Sequence, residues 1–258
     1  MIELTRSRLE AVRLIAEEAG KAILKIYQFG NFEIQTKSDD TPLTKADLAS
    51  HNIIFNALSK LAPEIPILCE EGEKLNIDVS TFWCVDPLDG TKEFIKRNGE
   101  FTVNIALIQN YVPVLGVIHI PVENESFVAM KGGGAYKIYN NQYHQLPKQN
   151  KLRNHSIVFA VSRSHLNQQT QDFIKQHQAD TIAAGSSLKL CLLAEGKVDA
   201  YPRFGPTSLW DMAAGHAILK EIGGEIYDLN YKSLKYNTKN ILNPDLIALR
   251  HKDIRLKI

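Results

Sequence analysis

The stretch Trp83-Cys84-Val85-Asp86-Pro87-Leu88-Asp89-Gly90-Thr91 decides how the rest of the sequence is interpreted. It predicts a short buried strand that ends in a turn with two carboxylates, a glycine and a hydroxyl. Strand ends project functional side chains, and carboxylate oxygens are the ligands that Mg²⁺ prefers. Gly90 allows the backbone to approach a ligand closely. An Asp-rich structural turn has the same composition, and the spacing alone does not separate the two interpretations.

The composition is that of an ordinary globular protein. Its 258 residues are 44% hydrophobic and 23% charged, with a formal net charge of +1. A chain of this length can bury a sizeable core. The charge balance argues against a nucleic-acid-binding protein, which normally has a basic excess. The charge balance does not exclude binding of small anionic ligands, because these need only a local group of cations.

The cysteines and the apolar stretches indicate the cellular compartment of the protein. Cys69, Cys84 and Cys191 stand in apolar contexts, which predicts buried, reduced thiols in a cytoplasmic protein. They lack the paired spacing of a zinc site. No signal peptide is visible at the N-terminus. Residues 101–122 lack charged side chains but are interrupted by polar residues and prolines, so they predict a buried hairpin and no membrane span.

Hydrophobic periodicity in the first half predicts helices beside a broad antiparallel sheet. The residues 4–29 predict a long amphipathic helix, and Thr44 with Asp47 has the spacing of a capping box that starts a second helix. Strands are predicted at residues 32–36, 67–68, 82–85, 101–109, 114–120, 126–130 and 135–139.

The second half alternates between strands and helices, which predicts an α/β lobe. The predicted strands are residues 156–161, 181–184 and 199–203, and the predicted helices are residues 167–178, 188–195 and 209–222. A polar, charged run at residues 150–155 suggests the boundary. We therefore expect an N-terminal metal-binding lobe at residues 1–152 and a C-terminal lobe at residues 153–258, tightly joined.

Four acidic residues stand at the ends of separate predicted elements: Glu70, Asp86, Asp89 and Asp211. If they meet in the fold, they repel one another strongly unless cations lie between them. A two-metal cluster of this kind suits phosphoryl chemistry. The alternative is that the four acids lie on separate surfaces.

Four segments together resemble the lithium-sensitive, Mg²⁺-dependent phosphatase superfamily that includes inositol monophosphatase. They are Asp39-Asp40-Thr41-Pro42-Leu43-Thr44-Lys45-Ala46-Asp47, Glu70-Glu71, Asp86-Pro87-Leu88-Asp89-Gly90-Thr91 and Trp210-Asp211-Met212-Ala213-Ala214-Gly215. The resemblance implies an α+β or α/β protein with the layered αβαβα sandwich of that family. It also implies a large, mostly antiparallel sheet and a second, smaller lobe.

Three further segments resemble the CysQ-type 3'(2'),5'-bisphosphate nucleotidases of that superfamily. They are residues 91–106, Gly185-Ser186-Ser187-Leu188-Lys189 and Tyr201-Pro202-Arg203-Phe204-Gly205-Pro206-Thr207. Cys69 departs from the pattern, since Ser is common before the glutamate pair, but this side chain is not an expected ligand.

The resemblance implies a site with two or three Mg²⁺ ions. Glu70, Asp86 and the Leu88 carbonyl would hold the first ion. Asp86, Asp89 and Asp211 would hold the second, and Glu70 with water would hold a weaker third.

The catalytic roles implied by the resemblance fall on Asp47 and Thr91. Together they would orient and activate the attacking water, a general-base arrangement. The backbone N–H groups of Gly90 and Thr91 would bind the scissile phosphate if they begin a helix.

The resemblance implies two sets of substrate contacts. Those beyond the metal loop are His165, Ser186, Lys189 and Arg203. Those that also belong to the metal site or to the water-activating group are Glu70, Leu88, Asp89, Gly90, Thr91 and Asp211. A second phosphate brings negative charge that Lys or Arg can meet. His165 could equally be an ordinary loop histidine. The run of Lys92, Lys96 and Arg97 has the character of a solvated charged face.

The expected activity is hydrolysis of the 3'-phosphate of adenosine 3',5'-bisphosphate to AMP. The resemblance also implies a role in sulfate assimilation, action on the sulfated precursor, Li⁺ inhibition, a monomer or homodimer, and in some bacterial relatives attachment to the inner membrane. An inositol or fructose phosphatase is the alternative that Lys189 and Arg203 disfavour. A silent nucleotide sensor is the alternative from another class.

Overall fold

The structure is a computed structural model, and it describes residues 3–30, 32–36, 42–73, 75, 78–148 and 156–257. Asp39, Asp40 and Thr41 of the first family segment lie outside the described residues. The predicted boundary at residues 150–155 also lies outside them, so the division into lobes at residues 152 and 153 stays a prediction.

Two helices begin the fold, and both start at side-chain caps. Helix α1 (Arg6–Phe29) follows Thr5, whose hydroxyl accepts the backbone N–H of Arg8. Strands β1 (Gln35–Thr36) and β2 (Pro42–Leu43) form a short antiparallel pair, so the strand predicted at residues 32–36 is mostly irregular. Helix α2 (Lys45–Leu61) begins at the predicted capping box of Thr44 and Asp47. The local signal for this helix start is therefore confirmed.

A seven-stranded sheet follows in the described residues, in the spatial order of the sequence. Its first pair is parallel and the others are antiparallel. The strands are β3 (Ile67–Cys69), β4 (Thr81–Asp89), β5 (Thr102–Gln109), β6 (Val112–Ile120), β7 (Glu125–Met130), β8 (Gly134–Tyr139) and β9 (Gln142–Gln145). Helix α3 (Thr91–Ile95) interrupts the sequence between β4 and β5.

The second half of the chain forms a five-stranded sheet within the described residues, in the order β11-β10-β12-β14-β13. Its strands are β10 (Val158–Ser162), β11 (Asp180–Ala184), β12 (Ala200–Arg203), β13 (Glu225–Asp228) and β14 (Leu246–Leu249). Its helices are α4 (Gln168–His177), α5 (Leu188–Ala194) and α6 (Leu209–Glu221). The periodicity does not predict β9, β13 or β14, because each has only four residues and β9 is mostly exposed.

The elements stack in the predicted αβαβα layers. The first core cluster packs α1 and α2 on one face of the seven-stranded sheet, through alternate residues such as Trp83 and Val85. Phe82 and Cys84 point to the opposite face, where α5 and α6 separate the two sheets. Helix α4 covers the outer face of the five-stranded sheet through Phe173. The expected fold class is confirmed.

Helix α6 lies unusually close to the seven-stranded sheet. A Cβ added at Gly116 on β6 would lie 2.3 Å from the carbonyl oxygen of Ala214. Any larger residue would push the helix outward, and α6 carries Asp211 in its first turn. Gly116 thus helps to fix Asp211 relative to β4.

Two further expectations concern burial and membranes. Cys69, Cys84 and Cys191 are buried thiols, as predicted. Among the described residues, no helix is both long enough and apolar enough to cross a membrane.

Candidate active site

The candidate site is built around the end of β4. The pairing of β4 with β5 shifts register between Asp86 and Asp89, and this irregularity turns the strand towards α3. Asp86 is buried and its Oδ1 accepts the backbone N–H of Leu88 at 3.0 Å. The Ser50 hydroxyl donates to the Pro87 carbonyl at 2.6 Å, which ties the turn to α2. These contacts hold the carboxylate loop in one conformation.

Gly90 makes the sharp exit from this strand. Its φ is 95°, a left-handed value that side chains other than glycine rarely adopt. A Cβ at this position would also lie 2.9 Å from the Glu100 carbonyl oxygen. Only glycine therefore brings Thr91 to the start of α3 in this position.

One open cavity of about 210 Å³ gathers most of the predicted site residues. Its walls come from the ends of β3, β4 and β12 and from the starts of α3, α5 and α6. The predicted residues that line it are Glu70, Asp86, Leu88, Asp89, Gly90, Thr91, His165, Ser186, Lys189, Arg203 and Asp211. Asp47 adjoins this set through Thr91.

The acidic side chains at this cavity raise one another's pKa. Burial, followed by the charges of Glu70, Asp89 and Asp211, raises the pKa of Asp86 well above its usual range. Burial and the charges of Asp89 and Glu70 raise the pKa of Asp211 to about 8. Carboxylates that are partly withdrawn from water and lie near one another are costly as separate charges. The alternative in which these acids lie on separate surfaces does not describe this fold.

The donor set suits a hard divalent cation. Carboxylate oxygens, with neither thiolate nor imidazole among them, are typical Mg²⁺ ligands. In the described part of the chain, no three His, Cys, Asp or Glu side chains converge in a ready-made ion site. Glu70, Asp86, Asp89 and Asp211 therefore surround the cavity rather than meet at one point, and their chemistry, not their present spacing, fits the metal.

Thr91 and Asp47 lie together beside these carboxylates. The Thr91 hydroxyl donates to Asp47 Oδ1 at 3.0 Å. Asp47 Oδ2 accepts the backbone N–H and the hydroxyl of Thr44, at 2.7 and 2.6 Å. The capping box therefore orients the same carboxylate that faces Thr91.

Lys189 is buried in the wall of the cavity. Its ammonium donates to the backbone carbonyls of Ala184 and Ser186 and lies 5.3 Å from the centre of the Tyr201 ring. Burial lowers the pKa of Lys189 to about 8, against the raising effect of Asp89. Lys189 thus fixes the loop before α5 as well as placing a cation near the carboxylates.

Two polar atoms in the same wall have unused hydrogen-bonding capacity. Ser186 Oγ and Arg203 Nε are buried and have no hydrogen-bond partner in the part of the chain that the structure describes. The terminal nitrogens of Arg203 donate to the carbonyls of His165 and Pro206, at 3.3 and 3.0 Å. Buried polar atoms without partners are uncommon. Here they line a cavity, which is where a polar ligand would meet them.

The Inositol monophosphatase family model matches residues 5–256. The chain belongs to the inositol monophosphatase family. Its curated relatives in that family include the 3'(2'),5'-bisphosphate nucleotidase CysQ of Salmonella typhimurium, 44% identical over 92% of this chain and 97% of the relative. The protein of that name from Escherichia coli K12 is 42% identical with the same coverage.

Solved structures of the inositol monophosphatase family agree. The crystal structure of CysQ from Bacteroides thetaiotaomicron has a TM-score of 0.82 and 42% identity, over 95% of this chain and 97% of the other. The Thermotoga maritima IMPase TM1415 shares the fold, with a TM-score of 0.78, 24% identity and coverage of 95% and 92%.

In this member of the inositol monophosphatase family, Asp89 is held by two residues, Asn104 and Ser187, that no sequence pattern predicts as part of the site. Ser187 donates to Asp89 Oδ2 at 2.7 Å, and the Asn104 amide donates to the same oxygen at 3.2 Å and to Ser187 at 2.9 Å. These bonds and the charge of Lys189 partly offset the burial that raises the pKa of Asp89. Asn104 and Ser187 are 83 positions apart, so no local pattern joins them. The sequence signal for this contact is Asn104 itself, a polar residue within an apolar strand.

Proposed function

We propose that this chain is a Mg²⁺-dependent 3'(2'),5'-bisphosphate nucleotidase that removes the 3'-phosphate of adenosine 3',5'-bisphosphate to give AMP and phosphate. The observation that carries the proposal is the Thr91–Asp47 hydrogen bond at the edge of a cavity lined by five carboxylates, four of them the predicted metal ligands. The names of the relatives at 42–44% identity support the same substrate class. They do not favour an inositol or fructose phosphatase.

Glu70, Asp86, Asp89, Asp211 and the Leu88 carbonyl would hold two or three Mg²⁺ ions. When bound, the ions lower the pKa of water and stabilise negative charge on the phosphate. The fit rests on the hard oxygen donors and on the raised pKa values of Asp86 and Asp211, because a carboxyl group that repels its neighbours gains most from a cation.

Thr91 and Asp47 would position the attacking water and accept its proton. Because the Thr91 hydroxyl donates to Asp47, its oxygen is left to accept a hydrogen bond from water. As the water oxygen bonds to phosphorus and the bond from phosphorus to the ribose 3'-oxygen breaks, the proton of the water would pass to Thr91 and that of Thr91 to Asp47. The 3'-oxygen would take a proton from solvent and leave as the hydroxyl of AMP. A threonine hydroxyl is too weak a base to act alone, which is why the carboxylate partner is needed.

The part of the cavity wall that carries Ser186, Lys189 and Arg203 would bind the nucleotide. The unused Ser186 Oγ and Arg203 Nε offer hydrogen bonds to phosphate or ribose oxygens, and Lys189 adds a positive charge. The backbone N–H groups of Gly90 and Thr91 would meet the scissile phosphate. A silent sensor is not favoured, because neither Asp47 nor Thr91 is replaced.

Product analysis tests this proposal. Chromatography of adenosine 3',5'-bisphosphate incubated with the protein and Mg²⁺ should show 5'-AMP and one equivalent of phosphate. A chelator should stop the reaction, and fresh Mg²⁺ should restore it. Release of 3'-AMP, or turnover that survives the chelator, would contradict the assignment. We further expect a cytoplasmic enzyme, acting as a monomer or a homodimer.

A further inference from the structure

Lys92 lines the cavity, although its side chain is exposed to solvent. It is the second residue of α3 and lines the cavity together with Thr91 and Arg203. Its Nζ lies 3.0 Å from Nε2 of His165. Because an ammonium group only donates, His165 must present its unprotonated nitrogen to Lys92. The imidazole therefore holds the end of a long, otherwise mobile side chain at the cavity.

Lys96 shows that this placement is specific. It lies one helical turn from Lys92, but it is not part of the cavity lining. Its Nζ lies 3.4 Å from the Ser164 hydroxyl, which itself donates to Glu93. The charge run beyond the carboxylate loop is thus divided, with one lysine at the cavity and one outside it.

The wall around Lys92 holds a second cation, Arg203. His165 connects Lys92 to Arg203, whose guanidinium donates to the His165 carbonyl at 3.3 Å. Burial, followed by the charges of Lys92 and Arg203, lowers the pKa of His165, in agreement with an unprotonated Nε2 that faces Lys92. Of the five carboxylates that line the cavity, Glu93 is next to Lys92 in the chain, and it accepts the hydroxyl of Ser164. A row with two cations suits an anionic group of the ligand.

We propose that Lys92, held by His165, binds the second, non-scissile phosphate of the bisphosphate substrate. This inference rests on the proposed function, since it assigns part of the same cavity. The scissile phosphate must lie beside Thr91, and Lys92 is the next residue along α3, on the side of the cavity that faces His165. The free N–H groups of Lys92 then reach a phosphate that Arg203 approaches from the other end of the row. Lys92 accordingly sets the preference for a bisphosphate over a monophosphate.

The test compares adenosine 3',5'-bisphosphate with adenosine 3'-monophosphate, which carries only the scissile group. We expect Lys92→Ala to raise KM for the bisphosphate about 10- to 100-fold, the size of a lost charge-assisted hydrogen bond. Its kcat/KM for the monophosphate should change by less than about threefold, within the range of a surface substitution. Lys92→Arg should recover most of the lost affinity. Lys96→Ala, the matched control one turn away, should behave as the unaltered protein with both substrates.

Equal losses on the two substrates would overturn the inference, because they would place the effect of Lys92 in the folding of α3. An equal effect of Lys96→Ala would also overturn it, by making the effect one of net charge. Failure of the unaltered protein to hydrolyse either nucleotide would reject the proposed function instead. Calorimetric binding of adenosine 3',5'-bisphosphate would then still decide the role of Lys92, and unchanged affinity in Lys92→Ala would exclude it.

Discussion

The Thr91 hydroxyl donates a 3.0 Å hydrogen bond to Asp47 Oδ1 and so joins the end of β4 to the first turn of α2. Because the second oxygen of Asp47 is occupied by Thr44, the carboxylate cannot rotate away without breaking the helix cap. Asp47 therefore has a structural and a chemical partner at the same time. This double role makes the pair rigid and gives the candidate base a fixed direction.

Replacing Thr91 by valine should abolish most turnover without unfolding the protein. Val has the shape of Thr but lacks the hydroxyl, and general-base catalysis is worth about 10²- to 10⁴-fold. We expect a fall in kcat of that size with an almost unchanged melting temperature. Thr91→Ser keeps the hydroxyl and should retain most of the rate. Similar rates in the valine and serine variants would show that the hydroxyl does not take part.

Asp89→Asn should weaken the divalent-cation site. The amide can still accept from Ser187, so the local structure is kept, but one negative charge facing the cavity is removed. We expect a large loss of rate and a higher Mg²⁺ concentration for half-maximal activity, measured by titration. Calorimetric titration with Mg²⁺ should show the same weakening without substrate. A near-normal rate at saturating Mg²⁺ would mean that Asp89 is not a ligand.

The contribution of Asp211 to the stability of the chelator-treated protein should fall between pH 6.5 and pH 8. The pKa of Asp211 is about 8 in the folded protein and about 3.9 in an unfolded chain, so in this window the folded state binds more protons. Its stabilising effect is complete below the unfolded pKa and is lost as the pH rises through about 8. Histidines whose pKa is lowered by burial, such as His119, are half protonated in the unfolded chain near pH 6.5 and give a slope of the opposite sign. Asp211→Asn keeps these histidines, so the difference between the two proteins isolates Asp211.

Differential scanning fluorimetry in chelator checks this slope. Mg²⁺ should replace the protons, so its stabilising effect should be larger at pH 8 than at pH 6.5. Asp211→Asn should flatten the slope. Equal pH slopes of the melting temperature in the chelated unaltered protein and in Asp211→Asn would contradict the raised pKa.

Arg250→Met should destabilise the second sheet. Arg250 and Asp199 form a buried ion pair at 2.6 Å, and Asp199 also accepts the backbone N–H of Val158 on β10. Removing the cation leaves a buried carboxylate uncompensated, which costs about 3–5 kcal/mol. Urea unfolding measures this loss. The control Lys197→Ala removes a mostly exposed lysine paired with Glu195 and should cost less than about 1 kcal/mol. Similar losses in both variants would be inconsistent with burial as the cause.

The sequence predicts the parts of this molecule that depend on short-range patterns. The capping box of Thr44 and Asp47 spans three residues, and the hairpins of the first sheet join consecutive strands, so both follow from local periodicity. Strand β14 is different, because it pairs with β12 and β13 across the sheet and its four residues carry no pattern of their own. Such a strand is defined by its neighbours.

In the candidate site, too, some residues follow from local sequence patterns and others only from long-range contacts. The carboxylates are visible as strand and helix ends, whereas the support of Asp89 by Asn104 and Ser187 depends on contacts between the two halves of the chain. The sequence pattern predicts Lys92 as part of a solvated charged run, and only the fold shows that its Nζ lies 3.0 Å from Nε2 of His165. Long-range contacts decide whether a polar residue belongs to a site, and spacing does not encode them.

The most direct test of the whole account is a comparison of kcat/KM for phosphate release from adenosine 3',5'-bisphosphate and from inositol 1-phosphate in Mg²⁺. The cations of Lys92, Lys189 and Arg203 have no second phosphate to meet in the inositol substrate. We therefore expect the bisphosphate to be preferred at least about tenfold, the effect of one charge-assisted hydrogen bond. Equal or faster turnover of inositol 1-phosphate would contradict the nucleotidase assignment.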